Sequence, residues 1–104
     1  MSATVLLDQP DTAELDLATI MGALADAHRL AIVRALAEDG ERVCGTFDLG
    51  ISKATRSHHF KILREAGVTH TRLEGTRRIV SLRRGDLEAR FPGLLGALLD
   101  AAAR

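Results

Sequence analysis

Residues 56–67 read RSHHFKILREAG and set two histidines side by side, with a serine before them and a phenylalanine after. Imidazoles at that spacing could ligate a metal, move protons or contact a partner. A helical reading separates these uses, because each residue advances by about 100°. Neighbours on a helix point apart. His58 and His59 therefore have different roles and do not readily chelate one metal ion. The same geometry argues against Ser57 and His58 as a nucleophile and its base, which must converge. The chain has no glycine-rich phosphate loop, no His-Glu-x-x-His and no convincing carboxylate pair, so catalysis is not expected.

With Phe60 as the reference direction, Leu63, His59, Ala66 and Thr55 fall on the packing side of this helix. Lys53, Ala54, Ser57, His58, Lys61 and Arg64 fall on the other. His59 is expected to be a core histidine bonded to a nearby backbone carbonyl. His58 belongs to a basic polar face near the helix start, the part of a recognition helix that reaches base edges. Arg56 lies at the edge of the apolar stripe, from which it could snorkel toward a phosphate.

The charge distribution agrees with that face. The 104 residues have no net charge, but residues 1–51 hold three basic and nine acidic side chains, a net of −6. Residues 52–84 hold nine basic side chains against Glu65 and Glu74, a net of +7. A basic segment in a neutral chain is the footprint of a nucleic-acid surface. The alternative is an ordinary solvated face, or a module that docks another protein, and salt-dependent binding to duplex DNA separates these.

These residues need a scaffold. Hydrophobic residues make up 46% and charged ones 27%, a globular balance, while aromatics are only 3%. The core must then be aliphatic, which favours helices. One cysteine, Cys44, rules out an internal disulfide. MSATVLLDQP lacks the form of a signal peptide, and no apolar run approaches a membrane span, so a cytoplasmic protein without a membrane partner is expected. Residues 1–10 read as a flexible leader, and 11–104 as one domain. Helical periodicity starts at Asp11 or Thr12, with Leu15, Ala18, Ile20, Met21 and Leu24 on one broad face. Asp26 caps a second helix that Gly40 ends. RVCGTFDLGI supports a brief helix weakened by Gly45. Ser52 caps the histidine helix, which Gly67 closes. VTHTRLE and RRIVSLR then alternate about Gly75-Thr76, predicting a two-stranded hairpin. After Pro92, Leu94, Leu95, Leu98, Leu99 and Ala102 form a narrow apolar stripe. Short helix, turn, capped helix and hairpin make a mainly α fold with a two-stranded β-wing, a winged helix-turn-helix.

LADAHRLAIVRAL, ISKATRSHHFKILREAG and the hairpin around EGTRRIVSL together resemble the ArsR/SmtB family of winged-helix bacterial regulators, from about Leu24 to Leu82. The resemblance implies a homodimeric regulator of double-stranded DNA, usually a repressor, released from its operator by a metal ion or another signal. It places Lys53, Thr55, Ser57, His58 and Lys61 at the recognition helix and Arg77 and Arg78 on the wing near phosphates. It makes the first and last helices the dimer interface, with Leu15, Leu94, Leu95, Leu98 and Leu99 as candidate contacts. The metal sites of the family are not intact in the sequence. Cys44 stands alone where a Cys-x-Cys pair is often found, and residues 86–104 contain no histidine. Zinc and nickel prefer imidazole or thiolate. The remaining candidate ligands for an atypical nickel or zinc site are His28, Cys44 and His70, scattered along the chain. Sensing through a partner protein, oxidation of Cys44 or an organic ligand are the alternatives.

Overall fold

The computed structural model describes residues 4–6 and 8–104, with side chains from Asp8 onward. Its elements are β1 (Thr4–Leu6), α1 (Leu17–Leu24), α2 (Ala27–Asp39), β2 (Arg42–Val43), α3 (Lys53–Ala66), β3 (Thr69–Glu74), β4 (Arg77–Leu82), α4 (Arg84–Arg90) and α5 (Leu94–Ala102). The helix expected from Asp11 is split. A 3-10 turn spans Thr12–Glu14, and α1 starts later because Asp16 caps it, accepting from the Thr19 amide at 3.0 Å.

The ends of α2 and α3 follow local chemistry as expected. Asp26 Oδ1 accepts from the His28 and Arg29 amides at 2.9 and 3.0 Å, opening α2. Ser52 Oγ accepts from the Thr55 amide at 3.1 Å, opening α3. Gly67 closes α3 at φ +83°, with its own amide on Arg64 and that of Val68 on Leu63, the pattern of a Schellman cap. Only glycine fits this position. A Cβ there would lie 2.1 Å from Leu15 Cδ2.

β3 and β4 pair from Thr69↔Leu82 to Glu74↔Arg77 around the two-residue turn Gly75-Thr76. Gly75 has φ +61° and Thr76 does not have a positive φ, the sign pattern of a type II′ turn. The two-stranded wing of the sequence reading is thus the centre of a larger sheet, antiparallel throughout, in the order β1-β3-β4-β2. Part of the segment expected as a leader, residues 1–10, takes up regular structure. Thr4–Leu6 pair with Arg72–Glu74 as an edge strand. Gln9 continues that edge with its side chain, accepting from the Thr71 amide at 2.7 Å and donating to the Thr71 carbonyl at 3.0 Å.

The helix expected in RVCGTFDLGI is reduced to one 3-10 turn, Cys44–Thr46, between β2 and an extended stretch. Val43 and Gly45 are poor helix formers, and Gly50 takes φ +67°, so the segment lacks the length and propensity for a longer helix. Side chains fix it instead. Phe47 is buried edge-on against Phe60 at 5.1 Å, and the Arg42 guanidinium stacks over the Phe47 ring and donates to the Thr46 carbonyl at 2.8 Å. Ile20, Ile32, Val33, Leu36, Leu63, Val68 and Val80 form the driest part of the core. This driest part is aliphatic, as the low aromatic content requires.

Candidate nucleic-acid interface

α3 and the β3–β4 turn converge on one cationic surface. Lys53, Ala54, Ser57, His58 and Lys61 are exposed along α3, and Arg77 and Arg78 are exposed at the start of β4. Between helix and wing runs a groove of about 510 Å³ whose lining includes Lys53, Arg56, Ser57, Arg77 and Arg78, with Phe60, Val43 and Cys44 as its less polar part. The structure therefore brings together five of the residues singled out in the sequence. Arg56 is half-buried and donates to the Phe47 carbonyl at 3.3 Å, so one of its guanidinium nitrogens is committed to the turn. Thr55 is not on the packing side, where the helical wheel put it. It is exposed, with its hydroxyl 2.9 Å from that of Ser52. Position in the first turn, next to the cap, takes it out of the core.

The nine basic side chains of residues 52–84 are not equivalent. Arg72 donates to both carboxylate oxygens of Glu41 at 2.7 and 3.0 Å and to Glu74 at 2.8 Å. Its guanidinium is held charged, and these contacts lower the Glu41 pKa. Arg83 donates to Asp86 at 2.9 Å and to the Pro10 carbonyl at 2.6 Å. The Arg83 bond, with a second from the Thr12 hydroxyl, keeps the Asp86 carboxyl below its usual range. Both arginines are spent on internal structure. Among the described residues, Lys53, Lys61, Arg77 and Arg78 have no carboxylate within ion-pair distance. These four cations, with the half-buried Arg56 and the polar pair Ser57 and His58, are what the surface offers to a polyanion.

His59 is 7% exposed and faces the core, as its place on the helix demands. Its partner differs from the expected backbone carbonyl. Arg29 Nη1 lies 3.0 Å from His59 Nδ1. A guanidinium can only donate, so Nδ1 accepts and the neutral ring carries its proton on Nε2. Arg29 also donates through Nε to the Ala23 carbonyl near the end of α1. Asp26 and Arg29 were not singled out in the sequence for this function. The signal was available in LADAHR, where a cap and an arginine three residues later share one turn of helix.

The candidate metal ligands stand apart within the protomer. His28 packs its ring on that of His59 at 5.6 Å, Cys44 lies in the cationic groove, and His70 lines a separate pocket with Thr12, Arg83 and Asp86. Among the described residues, no three of His, Cys, Asp or Glu are grouped to hold a metal ion. A thiol among arginines and two separate imidazoles do not fit the donor set of a nickel or zinc site. Burial pushes the Cys44 thiol pKa up, with Arg78, Arg56 and Arg64 pulling weakly against it, which disfavours the reactive thiolate.

The apolar terminal face is redrawn as well. Leu15 and Leu95 are 2% and 5% exposed and belong to the protomer's own core, while Leu94, Leu98 and Leu99 are half-buried. Among the residues whose side chains are described, Leu17 and Met21 on α1 are instead the large hydrophobic ones left exposed, at 47% and 43%. A groove of about 330 Å³ beside Met21 continues over Leu30, Leu98 and Ala102. No helix among the described residues is long and apolar enough to cross a membrane.

The sequence comparisons agree with this geometry. The family described as "Bacterial regulatory protein, arsR family" matches residues 26–70, from the cap of α2 to the second residue of β3. An uncharacterized HTH-type transcriptional regulator of Bacillus subtilis, YceK, is 44% identical over 84 residues, covering 78% of this chain and 84% of its own. A second uncharacterized HTH-type transcriptional regulator, MJ1325 of Methanocaldococcus jannaschii, is 44% identical over 61 residues, covering 57% of this chain and 68% of its own. With its recognition helix, wing and shortened connecting turn, the chain belongs to the arsR family of helix-turn-helix transcriptional regulators, which are DNA-binding proteins and not enzymes.

Proposed function

We propose that the protein acts as a homodimer on a pseudo-palindromic operator, with one α3 in each of two successive major grooves about 34 Å apart. The observation that supports this most directly is the exposed Ser57-His58 pair beside four cations, Lys53, Lys61, Arg77 and Arg78, that among the described residues have no carboxylate within ion-pair distance. Ser57, His58 and Lys61 read base edges, while Lys53, Thr55, Arg56, Arg77 and Arg78 hold the phosphate backbone and set the register. A second copy of the chain covers the α1–α5 face, where Leu17, Met21 and Leu98 are the contacts left available.

Regulation in this reading is not exerted by a family-type metal site, because the donors present do not converge. Sensing passes to a partner protein or to another signal in the cytoplasm. Fluorescence anisotropy on a duplex from the protein's own upstream region tests both parts. Expected is tight binding by the apo protein, steeply weakened by salt and unchanged by nickel, zinc, cobalt or copper. Binding no tighter than to a scrambled duplex overturns the operator reading, and loss of binding with one metal overturns the sensing part.

A further inference from the structure

We propose that His59 is a positioning residue whose neutral ring pins α3 to the α1–α2 junction, so that protonation of this one side chain loosens the recognition helix and weakens operator binding in acid. The inference rests on the reading of α3 as the helix that enters DNA.

The junction is built around one guanidinium. Arg29, in the first turn of α2, donates to the Ala23 carbonyl of α1 and to His59 Nδ1 of α3. It therefore ties three helices through two bonds, and only the bond to His59 can be switched. While Nδ1 is bare it accepts. Once it carries a proton, two donors face each other at 3.0 Å across a cationic contact.

The surroundings give that proton little compensation. The carboxylate beside the ring is that of Asp26, with Oδ1 3.9 Å from Nδ1. That same oxygen already accepts the two amides that cap α2. The other ionisable groups facing the ring are all basic. They are Arg29 and His28 from α2 and His58 from α3 itself, with ring separations of 5.6 Å to His28 and 6.3 Å to His58. α1 brings none, because Leu17–Leu24 contains no titratable side chain. Burial, assisted by Arg29, holds the His59 pKa below its ordinary value against the opposing pull of Asp26.

The sign follows. The unfolded or detached ring binds a proton more readily than the pinned ring. Stability of the pinned state is complete above the ordinary histidine pKa of 6.5, and it falls as pH drops from there through the lowered value. A single linked proton changes an equilibrium constant by at most about tenfold per pH unit. A dimer with two such sites doubles that slope on a logarithmic scale.

The test is the pH profile of operator affinity between about pH 5 and 8, by anisotropy on a duplex from the protein's own upstream region. The native protein is expected to lose affinity below pH 6.5, approaching tenfold per unit per protomer. His59→Asn keeps an oxygen where Nδ1 accepts and cannot titrate, so its acid loss is expected to vanish. His58→Gln lowers affinity at every pH but keeps the acid slope. An acid loss that survives His59→Asn, or one that disappears in His58→Gln, overturns the proposal. Imidazole NMR of the native protein gives an independent readout. A His59 ring protonated on Nδ1 at neutral pH, or titrating above 6.5, also overturns it. If no upstream duplex binds at pH 8, the operator reading fails by itself, and the NMR titration still decides the pin.

Discussion

Replacing Arg77 and Arg78 with alanine is expected to flatten the salt dependence of DNA binding to about half its native slope. In the proposed reading four cations of each protomer hold phosphates, Lys53, Arg56, Arg77 and Arg78, and among the described residues none of them has a carboxylate within ion-pair distance. If all four engage in each half of a dimer, eight phosphates are neutralised, and log K falls with log salt at a slope of about −7, from about −0.9 per phosphate. The double variant removes four of the eight and is expected to reduce the slope by about 3.6. The informative control is Arg72→Gln. Arg72 lies in the same basic segment but already donates to Glu41 and Glu74. Its loss is expected to leave the slope within about one unit of the native value. Anisotropy titrations at several potassium chloride concentrations read the three slopes directly. If Arg72→Gln flattens the slope as much as the wing variant does, the division into spent and available cations is refuted. If the wing variant leaves the slope unchanged, the wing does not touch DNA.

Three further outcomes follow from particular contacts. Gly67→Ala is expected to cost about 2–4 kcal/mol in urea unfolding, from the left-handed backbone and from displacing Leu15 out of the core; a cost below about 0.5 kcal/mol refutes the close approach. Ser57→Ala and His58→Ala should each weaken operator binding by about 1–3 kcal/mol with unchanged circular dichroism, and normal binding by both moves base reading away from this face. Leu98→Glu or Met21→Glu should convert the dimer to a folded monomer in sedimentation equilibrium, and an unchanged mass refutes the α1–α5 interface.

What the sequence disclosed was mostly local. Asp26, Gly40, Ser52 and Gly67 mark helix ends because caps act within one turn, and Gly75-Thr76 marks the hairpin because two residues suffice to close it. The hidden part depends on contacts between distant residues. Glu41 and Arg72 are 31 positions apart, and Thr4–Leu6 find their partner only at the far end of β3. Periodicity also shows which face is apolar but not what covers it. It could therefore place Leu15 and Leu95 on apolar helix faces without showing that they belong to the protomer's own core. His59 shows both sides of this: its direction was readable from 100° steps, and its partner was not.

The Gln9 side chain occupies both the donor and the acceptor of Thr71 along the outer edge of β3. A primary amide has the same pair of groups as a peptide unit, so one side chain stands in for the residue a longer strand would have supplied. Together with Thr4–Leu6 it blunts that border of the sheet. Uncovered borders invite strands from other molecules and seed aggregation. The protein thus protects an otherwise sticky margin with one side-chain amide, and on the opposite side of the sheet the border strand is the two-residue β2. Such a brief strand is a poor template for foreign chains. Solubility at the concentrations a regulator reaches during overproduction is therefore expected to depend on Gln9, a residue assigned to neither the proposed operator surface nor the proposed dimer face.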